Sequence, residues 1–101
     1  MIQDIYRTIE AVAGCTKEEL RGRGRGVDIA RYRNMFCAYC YEVMEMSYAE
    51  IAFELKRGKN TIQSSIRMHK NELSYDGRYA ELYRQLIGTI KPTPHNPHKY
   101  N

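Results

Sequence analysis

The sequence predicts an all-α fold, a bundle of about five to six helices. Three observations point there. Apolar residues recur at three-to-four-residue spacing in successive segments, the signature of helices with one buried face. No segment sustains the period-two alternation of a half-buried strand. Capping signatures and glycines fall between the periodic segments, where helices start and stop.

The elements follow in order. Ile2, Ile5, Tyr6, Ile9, Val12 and Ala13 lie at helical spacing, and Gly14 is a natural stop. Thr16-Lys17-Glu18-Glu19 is a capping box that opens a short helix to about Leu20. The run Arg21-Gly22-Arg23-Gly24-Arg25-Gly26 cannot continue it, since each glycine costs roughly 1 kcal/mol in a helix interior. Asp28 is the expected N-cap of a long helix to about Glu45-Met46, with Ile29, Tyr32, Phe36, Tyr39, Cys40 and Val43 as its buried stripe. Ser47-Tyr48-Ala49-Glu50 is a second capping box, leading a short helix with Ile51, Ala52 and Leu55 inward. Lys56-Arg57-Gly58-Lys59 breaks that helix. Asn60 then caps another, with Gln63 at its third position, running to about Leu73 with Ile62, Ile66, Leu73 and His69 toward the core. Ser74-Tyr75-Asp76-Gly77 is expected as a turn. Tyr79, Leu82, Tyr83, Leu86, Ile87 and Ile90 mark a last amphipathic helix. Residues 1–91 are therefore expected as one domain, and 92–101, with Pro92, Pro94 and Pro97, as a disordered tail.

The totals bound the class. A chain of 101 residues suits one domain with a modest core. The net charge of +4, from 16 Lys+Arg against 12 Asp+Glu, suits a polyanionic partner, although the distribution of charge says more than the sum. No apolar run is long enough to span a membrane, and Met1-Ile2-Gln3-Asp4 lacks the features of a signal peptide. Three cysteines do not form a disulfide framework. The expectation is a cytoplasmic, nucleoid-associated protein.

The most informative unit runs from Ser47 to Leu73. A capped helix, a glycine-containing turn and a second helix make a helix-turn-helix, whose second helix enters the major groove of DNA. Between Lys56 and Asn71 lie Lys56, Arg57, Lys59, Arg67 and Lys70 without one Asp or Glu. Lys59, Asn60, Thr61, Gln63, Ser64, Arg67 and Asn71 fall on the outward positions. Their side chains suit base edges and phosphates. An ordinary amphipathic helix pair would share the periodicity but would usually mix Glu with Lys.

The Arg-Gly run is a second basic element. Arg21, Arg23, Arg25, Arg31 and Arg33 are opposed only by Asp28. Alone, the run is ambiguous among tail, phosphate cradle, RNA-binding repeat and DNA loop. Its place between a capped helix and a long one favours a loop, in which glycines permit close approach and arginine suits the narrow minor groove.

At this level of detail the sequence resembles the C-terminal DNA-binding domain of DnaA, the bacterial replication initiator, over about Ile5 to Leu73. Thr16-Lys17-Glu18-Glu19-Leu20, the arginines from Arg21 to Arg25, Ala30-Arg31-Tyr32-Arg33, Ser47-Tyr48-Ala49-Glu50-Ile51-Ala52 and Asn60-Thr61-Ile62 carry the likeness. The resemblance implies a Trp-repressor-like helix-turn-helix that binds a short duplex, with the recognition helix in the major groove and the basic loop in the minor groove. It implies Arg25 as the minor-groove arginine, and Lys59, Asn60 and Thr61 as contacts to bases and phosphates. Arg31 and Arg33 are expected near the backbone, with Lys56, Arg57, Gln63, Ser64 and Arg67 completing the DNA-binding set. The family's turn, Gly-Gly-Arg-Asp-His-Thr-Thr, is one residue longer than Lys56-Arg57-Gly58-Lys59-Asn60-Thr61, and its Asp-His pair is absent here. No Gly-x-x-x-x-Gly-Lys-[Ser/Thr] motif occurs. The expectation is a free-standing domain of this type, phage- or mobile-element-borne, with a replication-origin or transcription-regulatory role.

Other motifs carry less. Cys37-Ala38-Tyr39-Cys40 is a lone pair within a helix, where zinc needs four ligands, so buried free cysteines are expected. Gly22-x-Gly24-x-Gly26 follows a helix, not the strand a dinucleotide site requires. Tyr32, Tyr39, Tyr79 and Tyr83 are expected in the core. His69 has no acid, nucleophile or metal partner in sequence. No catalytic constellation, cofactor motif or metal site is expected. The rival functions are an adaptor that binds a replication or phage protein, and RNA binding.

Overall fold

The computed structural model describes residues 2–22 and 26–89, the side chain of Val27 excepted. Arg23, Gly24 and Arg25, Ile90 and the expected tail lie outside the described residues. Among the described residues six helices follow one another: α1 (Ile2–Ala13), α2 (Lys17–Arg21), α3 (Val27–Glu42), α4 (Tyr48–Leu55), α5 (Lys59–Tyr75) and α6 (Gly77–Thr89). No strand occurs among the described residues.

Local chemistry sets most boundaries. Gly14, at φ +72°, ends α1 in the left-handed conformation that costs glycine least. Both expected capping boxes form. The Thr16 hydroxyl accepts from the Glu19 amide at 3.1 Å, and the Glu19 carboxylate accepts from the Thr16 amide at 2.9 Å. Ser47 and Glu50 repeat the exchange at the same two distances.

Three boundaries differ from expectation. The N-cap of α3 is Gly26, not Asp28, which sits in the first turn, where a carboxylate complements the helix dipole equally well. The C-cap of α3 is Val43, three residues before Met46. The N-cap of α5 is Gly58, so Asn60 lies inside the helix. The expected turn at residues 74–77 shrinks to one residue. Tyr75 ends α5, Gly77 begins α6, and Asp76 serves both: its amide donates to the Glu72 carbonyl at 2.8 Å, while its Oδ1 accepts from the amides of Arg78 and Tyr79 at 2.9 and 3.2 Å.

α3 is the central element. Met35 through Cys40 are all buried, so its middle is covered on every side rather than along one stripe. It packs most extensively on α5 and also meets α1, α2 and α4. Ile5, Ile9, Leu20, Ile51, Leu55, Ile62, Tyr79 and Leu86 join its buried residues in one core. Tyr6 stacks on Phe36 at 4.7 Å between centroids, and Tyr39 meets Tyr83 edge-on at 6.5 Å. Leu73, expected inward, is 36% exposed because α5 has turned it past the rim of that core. Cys15, Cys37 and Cys40 are buried and free. Burial raises the Cys15 and Cys37 thiols to about 11 and about 12, which suits packing rather than nucleophilic work.

Candidate nucleic-acid interface

The interface is built on α4, α5 and the three residues between them. Ile51, Ala52 and Leu55 anchor α4 in the core. The chain then leaves the helix by a Schellman motif: the Lys56 amide donates to the Phe53 carbonyl at 3.3 Å and the Arg57 amide to the Ala52 carbonyl at 2.9 Å. The residue in the left-handed conformation is Lys56, at φ 55°, rather than the nearby glycine. Gly58 is extended and serves as the N-cap of α5.

α5 buries Ile62, Ser65, Ile66 and His69. With that face fixed, Lys59, Asn60, Thr61, Gln63, Ser64 and Arg67 are all exposed, and Lys56 is exposed in the turn before them. Asn60, Ser64, Arg67 and Asn71 follow one another at helical spacing on the outermost line of the helix. Eleven residues of rise place about 16 Å between its ends, roughly five base-pair steps. The surface from Lys56 to Asn71 carries no carboxylate. The next acid along α5, Glu72, is 3.1 Å from Arg31.

The other predicted arginines are placed differently. Arg31 bridges from α3 to Glu72 and Asp76, and its guanidinium lies over the Tyr79 ring at 5.6 Å. Arg33 donates to the carbonyls of Leu20, Gly22 and Glu19 at 2.8, 3.0 and 3.1 Å. Arg57 donates to the carbonyls of Gly22 and Leu55 at 2.5 and 2.9 Å. Arg21 donates to the Glu54 carbonyl at 3.2 Å and stands 3.9 Å from the Glu54 carboxylate. These four side chains have partners within the chain, whereas the exposed set of α5 presents its polar groups outward. Arg23 and Arg25 lie outside the described residues. An open groove lined by Arg21, Lys56 and Arg57 separates α2 from the turn, and Phe53, on its rim, is 87% exposed.

The family model described as bacterial dnaA protein helix-turn-helix matches residues 2–68. The chain belongs to the DnaA helix-turn-helix family. No curated protein matches it. The DnaA match runs from the start of α1 through Met68, and so takes in α4, the turn and the exposed N-terminal half of α5. The DnaA helix-turn-helix family is DNA-binding rather than catalytic. Among the described residues no group of three or more His, Cys, Asp or Glu side chains is placed to hold a metal, and no helix is long and apolar enough to cross a membrane.

Sequence periodicity alone could not assign the inward roles of Arg33 and Arg57. Both answer carbonyls more than ten residues away in the chain. A local signal did exist. α2 ends in glycine after five residues, leaving carbonyl oxygens that need donors.

Proposed function

We propose that this chain binds double-stranded DNA with sequence preference, in a replication-origin or transcription-regulatory role. The N-terminal half of α5 lies in the major groove and the Arg-Gly loop in the minor groove beside it. The observation that carries this reading is the exposed, carboxylate-free face of α5, set on a helix-turn-helix of a DNA-binding family. Lys59, Asn60, Thr61, Gln63, Ser64 and Arg67 read bases and hold phosphates, and Lys56 meets the backbone at the turn. Arg23 and Arg25 supply the loop's contacts, with Arg25 the one that reaches furthest into the minor groove. Arg21, Arg31, Arg33 and Arg57 support this surface from within the fold.

Selection of bound sequences from a random duplex library, with a gel shift at low salt, tests the proposal. The expected result is an enriched motif of about five base pairs with a flanking preference. Asn60→Ala should relax the preference at one base pair by about 1–3 kcal/mol. Reversing the charge of Lys59 or Arg67 should abolish binding. Retention of no duplex at low salt overturns the proposal. Binding of a protein partner that tolerates both reversals would establish the adaptor role instead, and preferential competition by RNA would redirect the reading to RNA.

A further inference from the structure

One exposed position on α4 carries a side chain that water does not satisfy. The helix buries Ile51, Ala52 and Leu55 and turns Phe53 outward, with 87% of its surface exposed. Tyr75 is equally open, but its hydroxyl can bond water, whereas the Phe53 ring has no polar group. A single exposed apolar side chain is common on a folded domain and assigns nothing by itself. What singles out Phe53 is its setting.

Phe53 stands on the rim of the open groove between α2 and the helix-turn-helix turn, with Arg21, Lys56 and Arg57 around it. Glu54 is the carboxylate among the lining residues, and it is already engaged. Its Oε2 accepts from the Tyr6 hydroxyl at 2.5 Å and lies 3.9 Å from the Arg21 Nε. Arg57 directs its donors to backbone carbonyls and keeps its charge. Lys56 is exposed and forms no ion pair among the described residues. Three cations against one acid leave the groove electropositive. An apolar ring beside such a field has a definite complement. The phosphates of a duplex would answer the cations and leave the ring in water. A second copy docked about a two-fold axis would set Arg21 and Lys56 against their own equivalents, a like-charge contact. An acidic peptide with an apolar side chain among its carboxylates answers both features.

We propose that this groove docks an acidic segment of a partner protein: Phe53 is the apolar anchor, and Lys56 and Arg21 face the segment's carboxylates. Such docking goes beyond the DNA reading above and needs no DNA. Aromatic anchors carry much of the binding energy at protein interfaces, while flanking charges set the choice of partner. Phe53 therefore supplies the affinity and the two cations the preference for acid. Lys56 is also placed at the DNA backbone above, so docking and duplex binding share that one cation.

The test selects random peptides displayed on phage against the full chain. The enriched peptide is then synthesised with a fluorescent label and titrated by anisotropy. The expected peptides carry an aromatic or aliphatic residue flanked by Asp or Glu, and added salt should weaken their binding. Phe53→Ala should weaken the peptide about tenfold or more, and Phe53→Leu, which keeps an apolar side chain, should restore most of the loss. Phe53→Gln carries the same comparison if the Ala variant does not fold. Binding of duplex DNA by Phe53→Ala should match the wild type, because the ring meets no phosphate. Four results overturn the inference: no peptide is enriched; the enriched peptides lack acids; they bind Phe53→Ala as tightly as the wild type; or Phe53→Ala loses duplex binding, which would assign the ring to the DNA site. Self-association of the wild type in sedimentation, abolished by Phe53→Ala, also overturns it, by making a second copy the occupant.

Discussion

At Gly22 a side chain has nowhere to go. A Cβ built there would stand 2.8 Å from the Glu18 carbonyl oxygen, which is helix backbone and cannot swing aside. Gly22→Ala should cost about 1–3 kcal/mol in chemical denaturation, the range for overpacking a tight site. His69 is the other residue with a sharp consequence. It is fully buried, its Nδ1 bonds the Tyr79 hydroxyl at 2.6 Å, and its Nε2 has no partner. Burial, then the charge of Lys70, lower its pKa to about 4. The unfolded chain takes up this proton near pH 6.5 and the folded chain does not until about 4, so stability is greatest above 6.5 and falls as the pH drops between those values. Urea unfolding should show a loss of about 2 kcal/mol between pH 7 and pH 5. His69→Gln should flatten that step. The sequence placed His69 near the core, but its depressed pKa depends on what α6 packs against it. Tyr83 lies 4.4 Å away between ring centroids, and a spacing argument along α5 does not reach that far.

At the scale of elements, the sequence was most legible where the interaction is local. Both capping boxes formed because each links residues three apart, a distance that no tertiary packing has to arrange. Ser47→Ala should therefore loosen the start of α4 and lower stability by about 1 kcal/mol in thermal or chemical unfolding, with Thr at that position restoring most of the loss. Asp28 and Asn60 were harder, because a polar residue in a first turn and one at the N-cap leave similar traces in sequence. In both cases a glycine two residues earlier took the extended conformation instead. The outward face of α5 was legible because Ile62, Ile66 and His69 fix which way the helix turns. The inward roles of Arg33 and Arg57 were not, since a guanidinium reads as a surface charge until its distant carbonyls are known.

For the whole molecule, the net charge of +4 matters less than where it lies. Arg31, Arg33 and Arg57 are held by carboxylates or carbonyls, while Lys56, Lys59, Arg67 and Lys70 are exposed along one side of the helix-turn-helix. On the proposed DNA reading, these cations together with Arg23 and Arg25 would neutralise about five phosphates. Log K against log salt should then fall with a slope of about −4 to −5, measurable by fluorescence anisotropy on any duplex that binds. Arg67→Gln should reduce the slope by about 0.9, and Arg31→Gln should leave it unchanged while lowering the melting temperature. The all-α class and the order of the helices followed from periodicity. The central place of α3 did not, because a helix covered on all sides loses the one-sided pattern that reveals orientation.

The single residue between α5 and α6 limits how this architecture can change. Asp76 ends one helix, begins the next and pairs with Arg31. An inserted residue there would detach at least one of those bonds, and the lost register would carry Tyr79, Tyr83 and Leu86 away from their seats in the core. Lineages carrying this domain should therefore accept length changes elsewhere while keeping this junction at one residue, making it a fixed point against which the rest of the chain can drift.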